Sequence, residues 1–423
     1  MADNDPALFL DLADARHVLL AVSGGSDSIA LMRLAAPLHA DKASFIAATV
    51  DHDLRPDSAA EAVRAGEWCR AAGIEHAILR WEGEKPTTGL QEAARAVRYR
   101  LLIGEAERRG CNAIMTAHTA DDQAETLFMR LARGSARGLA GIAPDALMAA
   151  GAGRPMRVLR PLLDCGREGL RSYLRSIGQA WIDDPSNDDW RFERARTRGL
   201  LAALEEQGIL TRDALCRTAA SLRVAAERAD AQNAAGFRRA GGCMHRLGWI
   251  SSRANALTPG LVGRAIHAVG GGQFEPSEGD AEAALMAARS AGAATLHGAI
   301  LRIDGDQAAF CREPAALSGR AGVPKKAPLS APPGGRILWD NRFIIENLGP
   351  EPAVIDFFGN ADPGDLKAAS ALHHAPAEAV AAAPAILMPS LDGRPLRLAD
   401  GSLPVRVTCL IDERFDGSVI RFR

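Results

Sequence analysis

Residues 15–135 predict an α/β fold with a parallel, doubly wound sheet. Three observations carry this. Strand-like and helix-like stretches alternate in order, the first strand runs through a glycine turn straight into a helix, and residues with chemistry to offer fall just after strand ends. A helical middle region and a small β-rich end are expected to follow.

The strands are expected at 17–22, 45–50, 76–81 and 113–117, because each is a short apolar run suited to a strand covered on both faces. The helices are expected at 27–39, 57–72, 89–109 and 120–133, where apolar residues recur at helical spacing. Residues 134–157 are rich in Gly and Ala and read as a loop with a short hairpin. Residues 166–206 read as helical, broken by the polar turn at 183–187. A second helical region spans 212–292, with strand-like pieces at 294–304 and 307–312. A Pro/Gly/Ser/Lys stretch at 313–335 reads as a linker, and 336–423 as β-rich. Domains are therefore expected at 1–210, 211–312 and 336–423, which fits a chain of 423 residues.

Composition excludes several classes. The formal charge of −2 rules out a uniformly basic coat for nucleic acid, though a local patch is compatible with it. The cationic side chains are nearly all arginine, which forks onto phosphates and stacks on bases. No two of the seven cysteines form C-x-x-C, which argues against a zinc ribbon, an iron–sulfur cluster or a disulfide scaffold. The N-terminal stretch lacks the basic-then-apolar order of a secretory leader, and no apolar run reaches membrane-spanning length. A cytoplasmic location is the expectation.

The first concentration of chemistry is VLLAVSGGSDSIALMRL, residues 18–34. Gly24 and Gly25 let backbone N–H groups approach a ligand, and Ser26 or Asp27 is expected as the helix N-cap. A strand, a glycine turn and a helix N-terminus make an anion site. Ser23, Ser26 and Ser28 surround it with hydroxyls, and Asp27 could hold Mg²⁺ beside a phosphate. The turn is neither G-x-x-x-x-G-K-[ST] nor G-x-G-x-x-G, and a tight turn that binds nothing is the competing reading.

The second concentration is TAHTADDQAETLFMRL, residues 116–131. Thr119 is a good N-cap and Asp122 stands where a capping box places its acid. Asp122 and Glu125 also share one helix face, with His118 just before it. Such a group suits cation binding, metal binding or general-base work. Helix 89–109 carries Arg95 and Arg98 at helical spacing, readable as a solvated ionic face or as inward-pointing cations. Asp51-His52 follows the second strand, and arginines crowd residues 154–200, Arg167 and Arg171 among them.

The turn SGGSDS resembles the PP-loop of the N-type ATP pyrophosphatases. VDHDLRPDSAAEA, LQEAARAVRYRLL, TAHTADDQAETLFMRLARGSARGLAGI and LRPLLDCGREGLRSYLRSIGQAWIDDPSNDDWRFERARTR together resemble the tRNA(Ile)-lysidine synthase family over residues 17–205. Two positions depart from the family's pattern. His118-Thr119 stands where two histidines are common, so one imidazole can act, and Arg194-Ala195-Arg196 replaces Arg-Asn-Arg.

The resemblance implies a PP-loop catalytic domain, a tRNA-contacting middle region and a C-terminal domain. It implies an ATP- and Mg²⁺-dependent ligase that adenylates C2 of the wobble cytidine of a CAU-anticodon tRNA(Ile) and joins free lysine there. No membrane or DNA partner is implied. By the same resemblance, Ser23, Gly24, Gly25, Ser26, Asp27 and Ser28 hold the nucleotide phosphates, with Asp27 on the metal. Arg98 stabilises phosphate or base charge. His118, Asp122 and Glu125 surround the lysine ammonium, one of the acids being an alternative metal ligand, and Arg194, Arg196 and Arg198 contact tRNA. Another PP-loop tRNA-modifying enzyme, such as a thiolase, is the alternative, and the missing C-x-x-C argues against it.

Overall fold

The structure is a computed structural model that describes residues 16–39, 43–86, 88–133, 137–150, 156–183, 190, 193–239, 241–272, 275–319, 325–360, 363–388, 404–415 and 419–422. Arg154, Arg191 and residues 184–187 of the expected polar turn lie outside these residues, as does much of the expected β-rich stretch at 389–403. The chain divides into two compact units, one running essentially to Arg228 and the other from Ala229.

The first unit is built on strands β1 (His17–Ala21), β2 (Ser44–Asp51), β3 (Glu75–Arg80), β4 (Ala113–Met115), β5 (Asp145–Ala150) and β6 (Met156–Leu159). Their order is β5-β6-β4-β1-β2-β3, parallel throughout except β5, which pairs antiparallel with β6 as the expected hairpin. Helices α1 (Ser26–Ala35), α2 (Ser58–Ala71), α3 (Leu90–Arg108) and α4 (Ala120–Ala132) connect the strands, followed by α5 (Arg167–Ser176) and α6 (Glu193–Glu206). Expected α1 is shortened: Pro37 sits in a 3-10 turn at Ala36–Leu38, where an α-helix would need its missing N–H.

Strand β1 is buried on both faces. Val18, Leu20 and Val22 join Ile29, Met32, Leu170 and Leu174 in one core, while Leu19 joins Tyr99, Leu102, Ile103 and Ile114 in another. This is why the sequence reads there as a continuous apolar run rather than an alternating one. After β1 the chain fills one side of the sheet with β2 and β3, then crosses to place β4 on β1's other edge. The connections leaving β1 and β4 therefore diverge, and a crevice opens beyond their carboxyl ends.

Helix α7 (Arg212–Arg239) runs across the division between units, which falls later than the boundary expected at 210. Within the stretch expected to be mainly helical, the strand-like pieces expected at 294–304 and 307–312 join two further strands in a five-stranded antiparallel sheet. Its order is β7-β8-β11-β10-β9, from β7 (Cys243–His245), β8 (Trp249–Arg253), β9 (Ala293–Leu296), β10 (Ala299–Asp304) and β11 (Gln307–Arg312). Helices α8 (Pro259–Gly270) and α9 (Glu278–Ala291) pack on it through Val262, Ile266, Leu285, Leu301 and Phe310. The unpredicted hairpin β7–β8 has strands of three and five residues, too short for either to show a clear period.

The expected linker contains α10 (Ala315–Ser318) and β12 (Leu329–Ala331). The β-rich end forms two three-stranded sheets. One joins β12 to β15 (Ala353–Phe357) and β16 (Pro384–Leu387), the other β13 (Arg336–Trp339) to β14 (Phe343–Asn347) and β17 (Val405–Cys409).

Between β13 and β14 the buried carboxylate of Asp340 accepts from Arg312 Nε at 2.9 Å and Arg342 Nε at 2.8 Å, with Lys326 Nζ at 3.3 Å. Burial alone would raise this carboxyl, but Arg342, Arg312 and Lys326 outweigh it and hold it well below the usual range. A depressed folded pKa stabilises above the unfolded value, about 4, and that stability is lost as pH falls below it. Asp340→Asn is expected to cost about 3–5 kcal/mol, since it leaves two buried guanidiniums uncompensated. It should also flatten the fall in melting temperature between about pH 5 and 3. Thermal denaturation of the variant across pH checks both.

Candidate active site

The turn after β1 is shaped for an anion. Gly24 has φ of +92°, and a Cβ there would lie 2.7 Å from Ile182 Cδ1, whose own backbone N–H donates to the Gly24 carbonyl at 2.9 Å. The N-cap of α1 is Gly25, not the expected Ser26 or Asp27, and no side chain caps it. The leading N–H groups of α1 thus point out of the helix end, where the dipole favours negative charge. The serines brace the loop: Ser28 Oγ donates to the Gly25 carbonyl at 2.9 Å and accepts from the Ser23 N–H at 3.1 Å, and Ser26 Oγ donates to Asp27 Oδ1 at 3.1 Å.

Asp122 closes the expected capping box and also stands among arginines. Its Oδ2 accepts from the Thr119 N–H at 2.9 Å, closing the capping box of α4, while Oδ1 faces Arg194 at 3.5 Å and Arg167 at 3.6 Å. Glu125 is 2% exposed and takes Arg194 Nε and Arg198 Nε at 2.9 Å each. Arg167 Nε also reaches Asp27 at 3.0 Å, and its Nη1 approaches Glu125 at 3.8 Å. One guanidinium therefore joins the acid of the phosphate turn to both acids of α4. It is held from behind, since Asp121 accepts the Arg167 backbone N–H at 2.7 Å.

This bridging role was not legible in the sequence, which placed Arg167 only among arginines free to meet phosphate. Asp27 and Arg167 lie 140 residues apart, and no local pattern marks the pair. Burial raises the Asp27 carboxyl and Asp122 adds to this, against the pull of Arg167. At Asp122 burial is outweighed by Arg194, His118 and Arg167, so its carboxyl is lowered.

His118 follows β4 and shares a hydrogen bond with Thr116 Oγ1 at 2.9 Å. Burial, reinforced by Arg160, Arg95 and Arg194 and opposed by Asp122, pushes its pKa down to about 3. The imidazole is neutral at pH 7, so it accepts or donates a hydrogen bond without carrying charge. Arg95 and Arg98 are reached by solvent although burial and neighbouring arginines lower both pKa values. His52 stands near Arg98, edge-on to Trp81 at 5.9 Å, and is pushed down to about 4 by burial and that arginine.

Arg194 and Arg198, expected on tRNA, here ion-pair with Glu125. Arg196 is exposed and donates to the Trp190 carbonyl at 2.9 Å. Among the described residues no three His, Cys, Asp or Glu side chains are placed to hold one metal ion together. Mg²⁺ beside a nucleotide needs only one or two carboxylates, since phosphate and water oxygens complete its shell. Asp27, 20% exposed at the phosphate turn, fits that demand. No described helix is long and apolar enough to cross a membrane.

The parallel sheet, the uncapped glycine turn and the acid–arginine cluster at the strand ends define a PP-loop nucleotide-binding domain, and the PP-loop domain family matches residues 4–204. A tRNA(Ile)-lysidine synthase of Methylobacterium nodulans is 39% identical over 72% of this chain and 93% of its own length. One from Bradyrhizobium sp. is 47% identical over 53% of this chain and 61% of its own. The chain belongs to the tRNA(Ile)-lysidine synthase family. It spans about three fifths of the Bradyrhizobium relative and nearly all of the Methylobacterium one. Among solved structures, the U34-tRNA thiolase NcsA of Methanococcus maripaludis is similar at 17% identity, covering 50% of this chain and 74% of that one with a TM-score of 0.43.

Gly24→Ala is expected to destabilise the protein by about 1–2 kcal/mol, because the residue is left-handed and the methyl meets Ile182. ATP affinity should fall further than this loss explains, since the turn itself shifts. Thermal melting beside equilibrium ATP binding separates the two effects.

Proposed function

We propose that this protein is an ATP-dependent ligase that converts the wobble cytidine of a CAU-anticodon tRNA(Ile) to lysidine. One observation supports the reading most: Arg167 ties the acid of the phosphate turn to the two acids of α4, so a nucleotide site and a cation site adjoin. Family membership supplies the substrates.

In the first half-reaction the O2 oxygen of cytidine attacks the α-phosphorus of ATP, forming an O–P bond and releasing pyrophosphate. The N–H groups at the start of α1 hold the phosphates, and the serine hydroxyls keep the turn in shape. Asp27 would hold Mg²⁺, which would supply charge neutralisation at the phosphates. Arg98 and Arg95 stabilise the negative charge that builds as pyrophosphate leaves. The cytidine must be unstacked from the anticodon loop to enter.

In the second half-reaction an amino group of free lysine attacks C2, and AMP departs with the former O2. Only the neutral amine is nucleophilic. Asp122, Glu125 and neutral His118 orient the incoming ammonium and take its proton before the freed amine attacks. Because Asp122 and Glu125 already hold arginines, the ammonium enters by taking over part of that ion pairing.

Purified protein with ATP, Mg²⁺, labelled lysine and a CAU tRNA(Ile) transcript tests the reading. Stable label on that transcript, none on its C34U variant, and one AMP per lysine incorporated are expected. Absence of label on both contradicts the proposal. Asp27→Asn is expected to slow tRNA-stimulated pyrophosphate release roughly 10²–10³-fold, in the range of losing one transition-state contact.

A further inference from the structure

Trp190 is 66% exposed, and a single exposed apolar side chain is ordinary in itself. Its mounting is not. The indole lies on the backbone of α6 at Gly199, where a Cβ would come 2.9 Å from indole Cη2 and 3.3 Å from Cζ2. Its carbonyl is pinned by Arg196 Nη1 at 2.9 Å. The tip of the ring thus meets a helix at a glycine, most of the indole is left exposed, and the exposed Arg196 holds its carbonyl.

Its place in the chain ties it to the crevice. Ile182, on one side, is hydrogen-bonded to Gly24 in the phosphate turn, and Arg194, on the other, is bound to Glu125. Helix α6, which the indole meets at Gly199, is bound to Glu125 through Arg194 and Arg198, and this places Trp190 beside the candidate active site. An aromatic face beside a guanidinium is the pairing that proteins use for unpaired RNA, the ring stacking on a base and the cation meeting phosphate.

We infer that Trp190 is a stacking platform for an unpaired base that flanks the target cytidine in the anticodon loop, with Arg196 on the adjoining phosphate. The inference rests on the proposed tRNA substrate. Removing a base–aromatic stack weakens binding roughly five- to hundredfold.

The test compares wild type, W190A, W190F and G199A in the full chain, using an anticodon stem-loop RNA for equilibrium binding and the intact tRNA for turnover. G199A keeps the indole but adds a methyl beneath it, and alanine favours a helix more than glycine does, so it perturbs the seat without weakening the fold. W190A and G199A are expected to raise Kd for the stem-loop and KM for tRNA at least fivefold. The KM for ATP, kcat at saturating tRNA and the melting temperature should stay within twofold or a few degrees of wild type, and W190F should recover most of the affinity.

Stem-loop affinity within twofold of wild type in both W190A and G199A overturns the inference, and so does a wild type that does not bind the stem-loop. A wild type that binds the stem-loop through Trp190 yet transfers no lysine leaves the stack standing and removes the proposed reaction, so the two failures are distinguishable.

Discussion

One guanidinium holds the candidate active site together. Arg167 lies 3.0 Å from Asp27, 3.6 Å from Asp122 and 3.8 Å from Glu125, carboxylates that start from two helices entering the same crevice. Three carboxylates gathered away from bulk water repel one another strongly, and no such cluster persists without matching cations. Arg167 answers all three, and Arg194 and Arg198 complete the balance on Glu125. The strand order makes the meeting possible: β4 is placed beside β1, so the helices that follow them begin at one crevice.

The consequence for chemistry is that the three acids are already matched by three arginines, Arg167, Arg194 and Arg198. In the proposed reaction the cationic substrate enters by exchange, taking a carboxylate as an arginine relaxes away from it. This gives the site a selectivity that a bare acidic pocket lacks, because a cation has to match the hydrogen bonds it replaces as well as the charge. In the proposed reaction it also couples the two halves. A change at the α4 acids reaches Asp27 through a single side chain, and α5, which carries that side chain, is fixed to α4 by Asp121.

Much of this was legible in the residues wherever the determining physics is local. Strand β1, the glycine turn and the capping box of α4 each depend on a few neighbours in sequence, and the expected elements match the observed ones to within a few residues. The turn was readable as an anion site, though the cap fell to Gly25, a residue that leaves the helix end open where Ser26 or Asp27 would have closed it. What escaped depends on long-range pairing. Arg167 meets Asp27 across 140 residues, and Arg194 and Arg198 turn inward because Glu125, 69 and 73 residues earlier, waits there. An arginine-rich stretch looks the same whether its cations face solvent, phosphate or buried acids. The hairpin β7–β8 escaped for a simpler reason, since strands of three and five residues carry too little pattern.

The central claim is that one side chain serves both halves of the reaction, and Arg167→Gln measured in two half-assays tests it most directly. Pyrophosphate release with tRNA but no lysine reports the first half, and transfer of lysine to tRNA adenylated in advance reports the second. The account predicts that both fall at least tenfold together while the melting temperature drops only a few degrees. Loss of one half with the other intact would show that the nucleotide site and the acids of α4 work independently, and would contradict it.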